Sequence, residues 1–235
     1  MTKGALALGF LAVISMPLAA RADLLEGVLN ITGTADLSAT GVTFLGDEFS
    51  VNGPAAAQQG DFISLAGTTG TIEDLTEPVS SVLNVPDFIT FAAEPNISIT
   101  LTSLYAGFDG AAGCTVSPAA PGQICTPPLS PLNFQNTFAG GSTVSFGLAG
   151  TEVDSITGNT TPIIGQFTLP FANQNFQQLL ATIASGGTVT TSFAAQFATP
   201  PVSNVPEPST LIVLMVVLGA MVGISRIHRR KCAKD

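Results

Sequence analysis

The sequence predicts an all-β fold, an antiparallel β-sandwich of jelly-roll type with one short helix, plus an N-terminal signal peptide and a C-terminal single transmembrane helix. Three observations carry this. Apolar and polar residues alternate with period two through most of residues 23–200. One stretch, around Phe176 to Ile183, switches to helical spacing. The 235 residues also segregate their charge. The formal net charge is −9, yet the seven basic residues (Lys3, Arg21, Arg226, Arg229, Arg230, Lys231 and Lys234) all stand in the two ends. Every acidic residue except Asp235 lies between Asp23 and Glu207. Charged residues make up 10% of the chain, against roughly a quarter in a soluble domain. That argues against a cytosolic enzyme surface. Seven basic residues against sixteen acidic ones argue against a nucleic-acid partner.

The N-terminal segment, residues 1–22, is expected to be a signal peptide. Lys3 supplies the positive start, and residues 4–18 (GALALGFLAVISMPL) supply an apolar run. Ala20 and Ala22 flank Arg21 as an A-x-A cleavage site, which leaves Asp23 as the first mature residue. A permanent N-terminal anchor is the alternative. The run is short for a span and Pro17 interrupts it, so removal is the expectation. Removal places the remainder in an oxidising compartment outside the cytoplasm.

Residues 23–200 are expected to form the exported sandwich domain. The cleanest strand is Asn96–Thr102, with Ile97, Ile99 and Leu101 inward and Ser98, Thr100 and Thr102 outward. Val144, Phe146 and Leu148 repeat the pattern, as do Ile163, Phe167 and Leu169. Val189, Thr191, Phe193, Ala195 and Phe197 form a further inward row. Val42 with Phe44, Phe49 with Val51, and Phe88 to Phe91 mark shorter strands. Gly, Asn, Asp and Pro punctuate these runs at the spacing of a sandwich or jelly roll. Phe176, Leu179, Leu180 and Ile183 recur at i, i+3, i+4 and i+7, so one short helix is expected there. Asn173 or Asn175 would cap it, Gly186-Gly187 would end it, and it would cover an open end or an edge of the sheets.

A Gly/Ala/Pro-rich loop over residues 108–131 contains Cys114 and Cys125, separated by ten residues. In an exported domain a disulfide between them is the economical reading. A zinc site would need further Cys or His ligands, which the domain lacks.

Residues 23–200 contain no His, Lys, Arg or Trp, and Tyr105 is their only Tyr. This removes Ser-His and Cys-His nucleophiles, Schiff-base lysines and cationic clamps. Carboxylates remain, as the local pairs Asp47/Glu48, Glu73/Asp74 and Glu152/Asp154. Only Glu152 and Asp154 share a strand face. Such pairs are expected to be solvated surface, so no catalytic residue and no metal ligand is assigned. Calcium is a more reasonable use of acidic oxygens in an exported domain, with no ligand set named and no EF-hand spacing present.

The C-terminal part divides in three. Residues 201–208 form a Pro-rich linker ending in Val205-Pro206-Glu207-Pro208, an extended segment that cannot join a helix. Residues 209–225 carry no charge, and as a helix they rise about 25 Å, near the lower limit for crossing a bilayer. Residues 226–235 form a basic tail in which Arg226, Arg229, Arg230 and Lys231 read as a cytoplasmic stop-transfer cluster. A stiff linker before a buried core helix is the alternative, and the basic cluster at the end opposes it.

In this order, V-P-E-P, a short apolar span and an Arg-rich terminus resemble the PEP-CTERM sorting signal of bacterial exported proteins. The resemblance covers Val205 to Asp235. It implies recognition by exosortase, a membrane-embedded transpeptidase, and transient anchoring before transfer to the cell surface or matrix. It also implies an association with exopolysaccharide. The expected function is therefore an exported structural or interaction protein of the envelope or extracellular matrix. A carbohydrate-binding sandwich module is the alternative, and a carboxylate-dependent hydrolase is the weakest reading.

Overall fold

The computed structural model describes residues 26–76 and 82–200. The expected signal peptide with Ala20 and Ala22, the motif Val205–Pro208, the apolar run and the basic cluster all lie outside these residues. Among the described residues no helix is long and apolar enough to cross a membrane.

The domain is mostly β. Its strands are β1 (Gly27–Leu37), β2 (Val42–Phe44), β3 (Glu48–Val51), β4 (Gln59–Gly60), β5 (Thr69–Ile72) and β6 (Val82–Phe91). They continue as β7 (Ile97–Leu104), β8 (Ile124–Cys125), β9 (Asn133–Asn136), β10 (Ser142–Asp154), β11 (Thr160–Phe171) and β12 (Val189–Ala198). The single α-helix among the described residues, α1 (Phe176–Ala184), lies between β11 and β12. The expected strand positions and the expected helix are all found.

The strands do not form two separate sheets. They run in the order β11-β12-β1-β3-β5-β6-β7-β10, and β10 pairs again with β11. That pairing closes an eight-stranded antiparallel barrel. The expected sandwich is thus corrected to a closed barrel. The physical reason is the length and sharing of two strands. β10 is paired along one edge by β11, while β9 and β7 divide its other edge, and the pairing with β7 carries a register shift at Ala149/Gly150. β1 is likewise paired by β12 along one edge, while β4, β3 and β2 divide the other. Long strands that carry different partners along their length coil and leave no free edge between the sheet halves.

Alternation fills the interior. Along β10 and β11 every second residue is buried. The centre is aromatic: Phe146 stacks on Phe167 at 4.8 Å, and Phe193 meets Phe44 edge-on at 5.0 Å. Glycines make room for these rings. A Cβ on Gly165 would stand 2.6 Å from the Phe197 ring, and one on Gly33 would stand 2.5 Å from Phe193. Pairing large with small residues in this way lets a narrow barrel pack to core density. The alternation fails in β6, where Phe88 and Ile89 are both buried next to Asp87 at φ 53° and the register with β7 shifts, and it changes phase in β7 between buried Leu101 and buried Leu104. A bulge of this kind re-aims successive side chains.

The two ends of the barrel differ. At the start of β1 the segment between β3 and β5 folds inward. Phe62 and Leu65 are buried there, and Gln58 is 2% exposed. The Gln58 amide donates to the carbonyls of Asn30 (3.1 Å) and Asn52 (2.8 Å) and accepts from the Asn30 N–H (2.7 Å). This closes one end with the Gln58 amide satisfied. The other end is covered by α1 and the loop that carries Cys114 and Cys125.

Candidate functional site

Helix α1 is fixed at its start. Asn175 caps it: its side chain accepts the Gln178 N–H at 3.0 Å, and the Gln178 side chain accepts the Asn175 N–H at 3.0 Å. This reciprocal pair satisfies two of the donors that a helix start leaves free. Of the two Asn residues expected as caps, Asn175 does the work, while Asn173 sits in the preceding turn at φ 58°. Phe176 and Leu179 are buried in the core, whereas Leu180 and Ile183 are half-buried.

The helix is tied to β9 and to the loop before it. The Phe176 N–H donates to Asn136 Oδ1 at 2.8 Å, and Asn136 Nδ2 donates to Gln177 Oε1 at 3.0 Å. Gln177 Nε2 donates in turn to Gln123 Oε1 at 2.7 Å. Asn136 is 4% exposed, so this amide chain works in a low-dielectric setting where an unmade bond is costly. The expected disulfide is present: Cys114 is bonded to Cys125, with Cα atoms 4.9 Å apart. Next to it Thr126 Oγ1 donates to Asn133 Oδ1 at 2.7 Å, and Asn133 Oδ1 also accepts the Phe108 N–H at 2.9 Å. These bonds hold the loop against the barrel.

Helix, disulfide loop and β1–β2 turn do not fill the space between them. A cavity of about 620 Å³ lies between them. Its floor is Val42, Leu75, Leu104, Phe134 and Phe146, all buried. Leu180 and Ile183 form one wall, and Cys114 with the Pro127–Leu132 loop forms another. The polar groups at its lining are the hydroxyls of Ser38, Thr40, Thr76 and Ser130, and no charged side chain lines it. A volume of this order is typical of small-molecule sites, roughly 300–1,000 Å³.

The carboxylate pairs fall elsewhere and do not behave alike. Asp47 and Glu48 are exposed at the turn into β3. Asp74 accepts the Phe44 N–H at 2.7 Å, while Glu73 is exposed. Asp154 accepts from Asn96 Nδ2 (3.0 Å), the Ile156 N–H (2.9 Å) and the Thr157 hydroxyl (2.8 Å). Those bonds hold its carboxyl below the usual aspartate range. Glu152 corrects the expectation of solvated surface. It is 0% exposed, inside the barrel at the end opposite the cavity. Its carboxyl oxygens find no hydrogen-bond partner among the described residues. Burial, then the nearby charges of Asp61 and Asp154, push its pKa up to about 7. Its position follows from β10 alternation, since Glu152 is in phase with Val144, Phe146 and Leu148. No three His, Cys, Asp or Glu side chains converge as a metal site among the described residues.

The cavity residues had no motif to reveal them. Their only sequence signals were the half-apolar helix face of Leu180 and Ile183 and the Pro-rich run 127–131. The chain matches no family model, no curated protein and no solved structure, so its chemistry is read from its own residues alone.

Proposed function

We propose that the chain is an exported structural or interaction protein of the bacterial envelope or extracellular matrix, delivered by exosortase through its C-terminal segment and associated with exopolysaccharide. The observation that carries this is the order V-P-E-P, uncharged run and Arg-rich terminus over residues 205–235. The Cys114–Cys125 disulfide is compatible with export. Residues 23–200 lack every cationic side chain, and the one carboxyl with a strongly raised pKa among the described residues, Glu152, is sealed in the barrel. Neither feature favours the hydrolase reading. Fractionation with intact-mass measurement tests the proposal. Glu207→Ala, or removal of residues 226–235, is expected to leave unprocessed protein in the membrane fraction. Normal processing and release of both variants overturns it.

A second reading, a carbohydrate-binding module, draws on one observation. Phe108 is 81% exposed and Phe138 is 90% exposed, and Tyr105 is half exposed, whereas the Phe residues on strands are core. Exposed rings are the platforms on which sugars stack. A glycan array with and without calcium separates the readings: binding lost in Phe108→Ala or Phe138→Ala favours the module, and silence in both conditions favours the structural role.

A further inference from the structure

We propose that the cavity at the α1 end of the barrel is a binding site for a small, uncharged, mainly apolar molecule. The inference is independent of how the chain is sorted. It rests on three observations: what lines the cavity, what is missing from the lining, and how its walls are held.

The large side chains at the cavity are apolar, among them Val42, Leu75, Leu104, Phe134, Phe146, Leu180 and Ile183. The floor is buried, while Ala39, Thr40, Leu129 and Ala184 at the rim are exposed, so the site opens to solvent on one side. A ligand entering it removes apolar surface from water on both partners.

Charge selects the ligand class. An anionic head, such as a carboxylate or sulfonate, needs a cation or a helix N-terminus. No Lys, Arg or His occurs between Asp23 and Pro208. The helix residues at the cavity, Leu180, Ile183 and Ala184, belong to the C-terminal half of α1, whose partial charge is negative. A cation would need a carboxylate in the lining, and there is none. Either charge would therefore be desolvated without a partner, which is costly. Hydroxyls at the rim, Ser38, Thr40, Thr76 and Ser130, suit a neutral ligand with one or two polar atoms.

The walls are formed before any ligand arrives. The capped helix is anchored through Asn136, Gln177 and Gln123, and the opposite wall is closed by the Cys114–Cys125 bond. Binding does not have to order them, so little affinity is lost to that cost.

The test compares one scaffold in two charge states. N-phenyl-1-naphthylamine is uncharged, and 1-anilinonaphthalene-8-sulfonate is its anionic analogue. Each is titrated by fluorescence into the full chain held in lipid nanodiscs, with empty nanodiscs as reference. The neutral probe is expected to bind saturably at one site per chain, and the sulfonate at least about 10-fold more weakly, in keeping with an unpaired buried charge. Ile183→Arg places a cation on one wall, and Thr40→Arg places one on the exposed rim opposite, where folding is not at stake. Either variant is expected to shift the preference toward the sulfonate by about 10-fold or more. Three results each overturn the proposal: no saturable binding of the neutral probe, sulfonate binding as tight as neutral binding in the unaltered chain, or a preference that neither substitution moves.

Discussion

Glu152 and Thr161 face each other across β10 and β11 inside the barrel, and neither side chain makes a hydrogen bond among the described residues. Glu152 is 0% exposed and Thr161 is 4% exposed. An acid in that position is stable only when neutral, because an ionised carboxylate would be desolvated without a partner. The same end of the barrel holds Asp61 and Asp154, whose charges reinforce the effect.

This fixes the sign of one pH dependence. In the unfolded chain Glu152 ionises near 4.5, whereas in the folded barrel it does so near 7. Between those values the folded state holds the extra proton. The contribution of Glu152 is therefore complete below about pH 4.5, falls as pH rises, and is lost above about 7, in total about 3 kcal/mol. Urea denaturation followed by circular dichroism at pH 5 and pH 8 measures it. Glu152→Gln is expected to flatten this part of the profile and to be the more stable protein at pH 8. An unchanged slope in the variant would refute the assignment.

Reduction of the Cys114–Cys125 bond should destabilise the domain. Its loop is short, and restricting it in the unfolded chain is worth up to about 3 kcal/mol. Denaturation with and without reductant reads that loss, and Cys114→Ser/Cys125→Ser should match the reduced protein. Because Cys114 lines the cavity, the neutral naphthylamine should also bind more weakly after reduction.

Gly165→Ala tests the packing of the barrel centre. The added Cβ meets the Phe197 ring at 2.6 Å and Leu148 Cδ1 at 2.9 Å. Overpacking of this kind costs about 1–3 kcal/mol. Phe197→Leu alone should also destabilise, yet in combination with Gly165→Ala it should recover part of the loss, a coupling that a double-mutant cycle resolves. Strict additivity would show that the two residues do not compete for space.

Asn175→Ala removes the cap of α1. The expected cost is about 1 kcal/mol, and it should appear locally, as faster hydrogen exchange of the amides near the helix start. Asn173→Ala should leave those amides unchanged, since Asn173 takes no part in the cap.

The strands were legible in sequence wherever the inward residues were large. Ile97, Ile99 and Leu101 mark β7, and Phe193, Ala195 and Phe197 mark β12. β1 is a contrast. Leu29, Ile31, Ala35 and Leu37 alternate there, but Gly33 interrupts the row, and the Phe193 ring fills the gap it leaves. β5 is masked in the same way by Gly70. The helix and its stop were legible because spacing, cap and Gly186 agree. The cavity was not, since its lining comes from the β1–β2 turn, the segment after β5, the end of β7, a loop, β9, β10 and α1.

The sequence by itself determined the local periods, the one helix of the described residues and the absence of cationic chemistry from residues 23–200. Each of these depends only on residue type and spacing along the chain. Tertiary structure alone decided that the strands close into a barrel, that Glu152 is sealed while Asp154 is bonded at the strand end, and that an apolar cavity remains beneath α1. Closure depends on which strand finds which. Leu37 meets Val189 and Gly27 meets Gly60 through backbone hydrogen bonds that carry no residue code. Alternation says which side chains turn inward, and only the pairing says what they meet there.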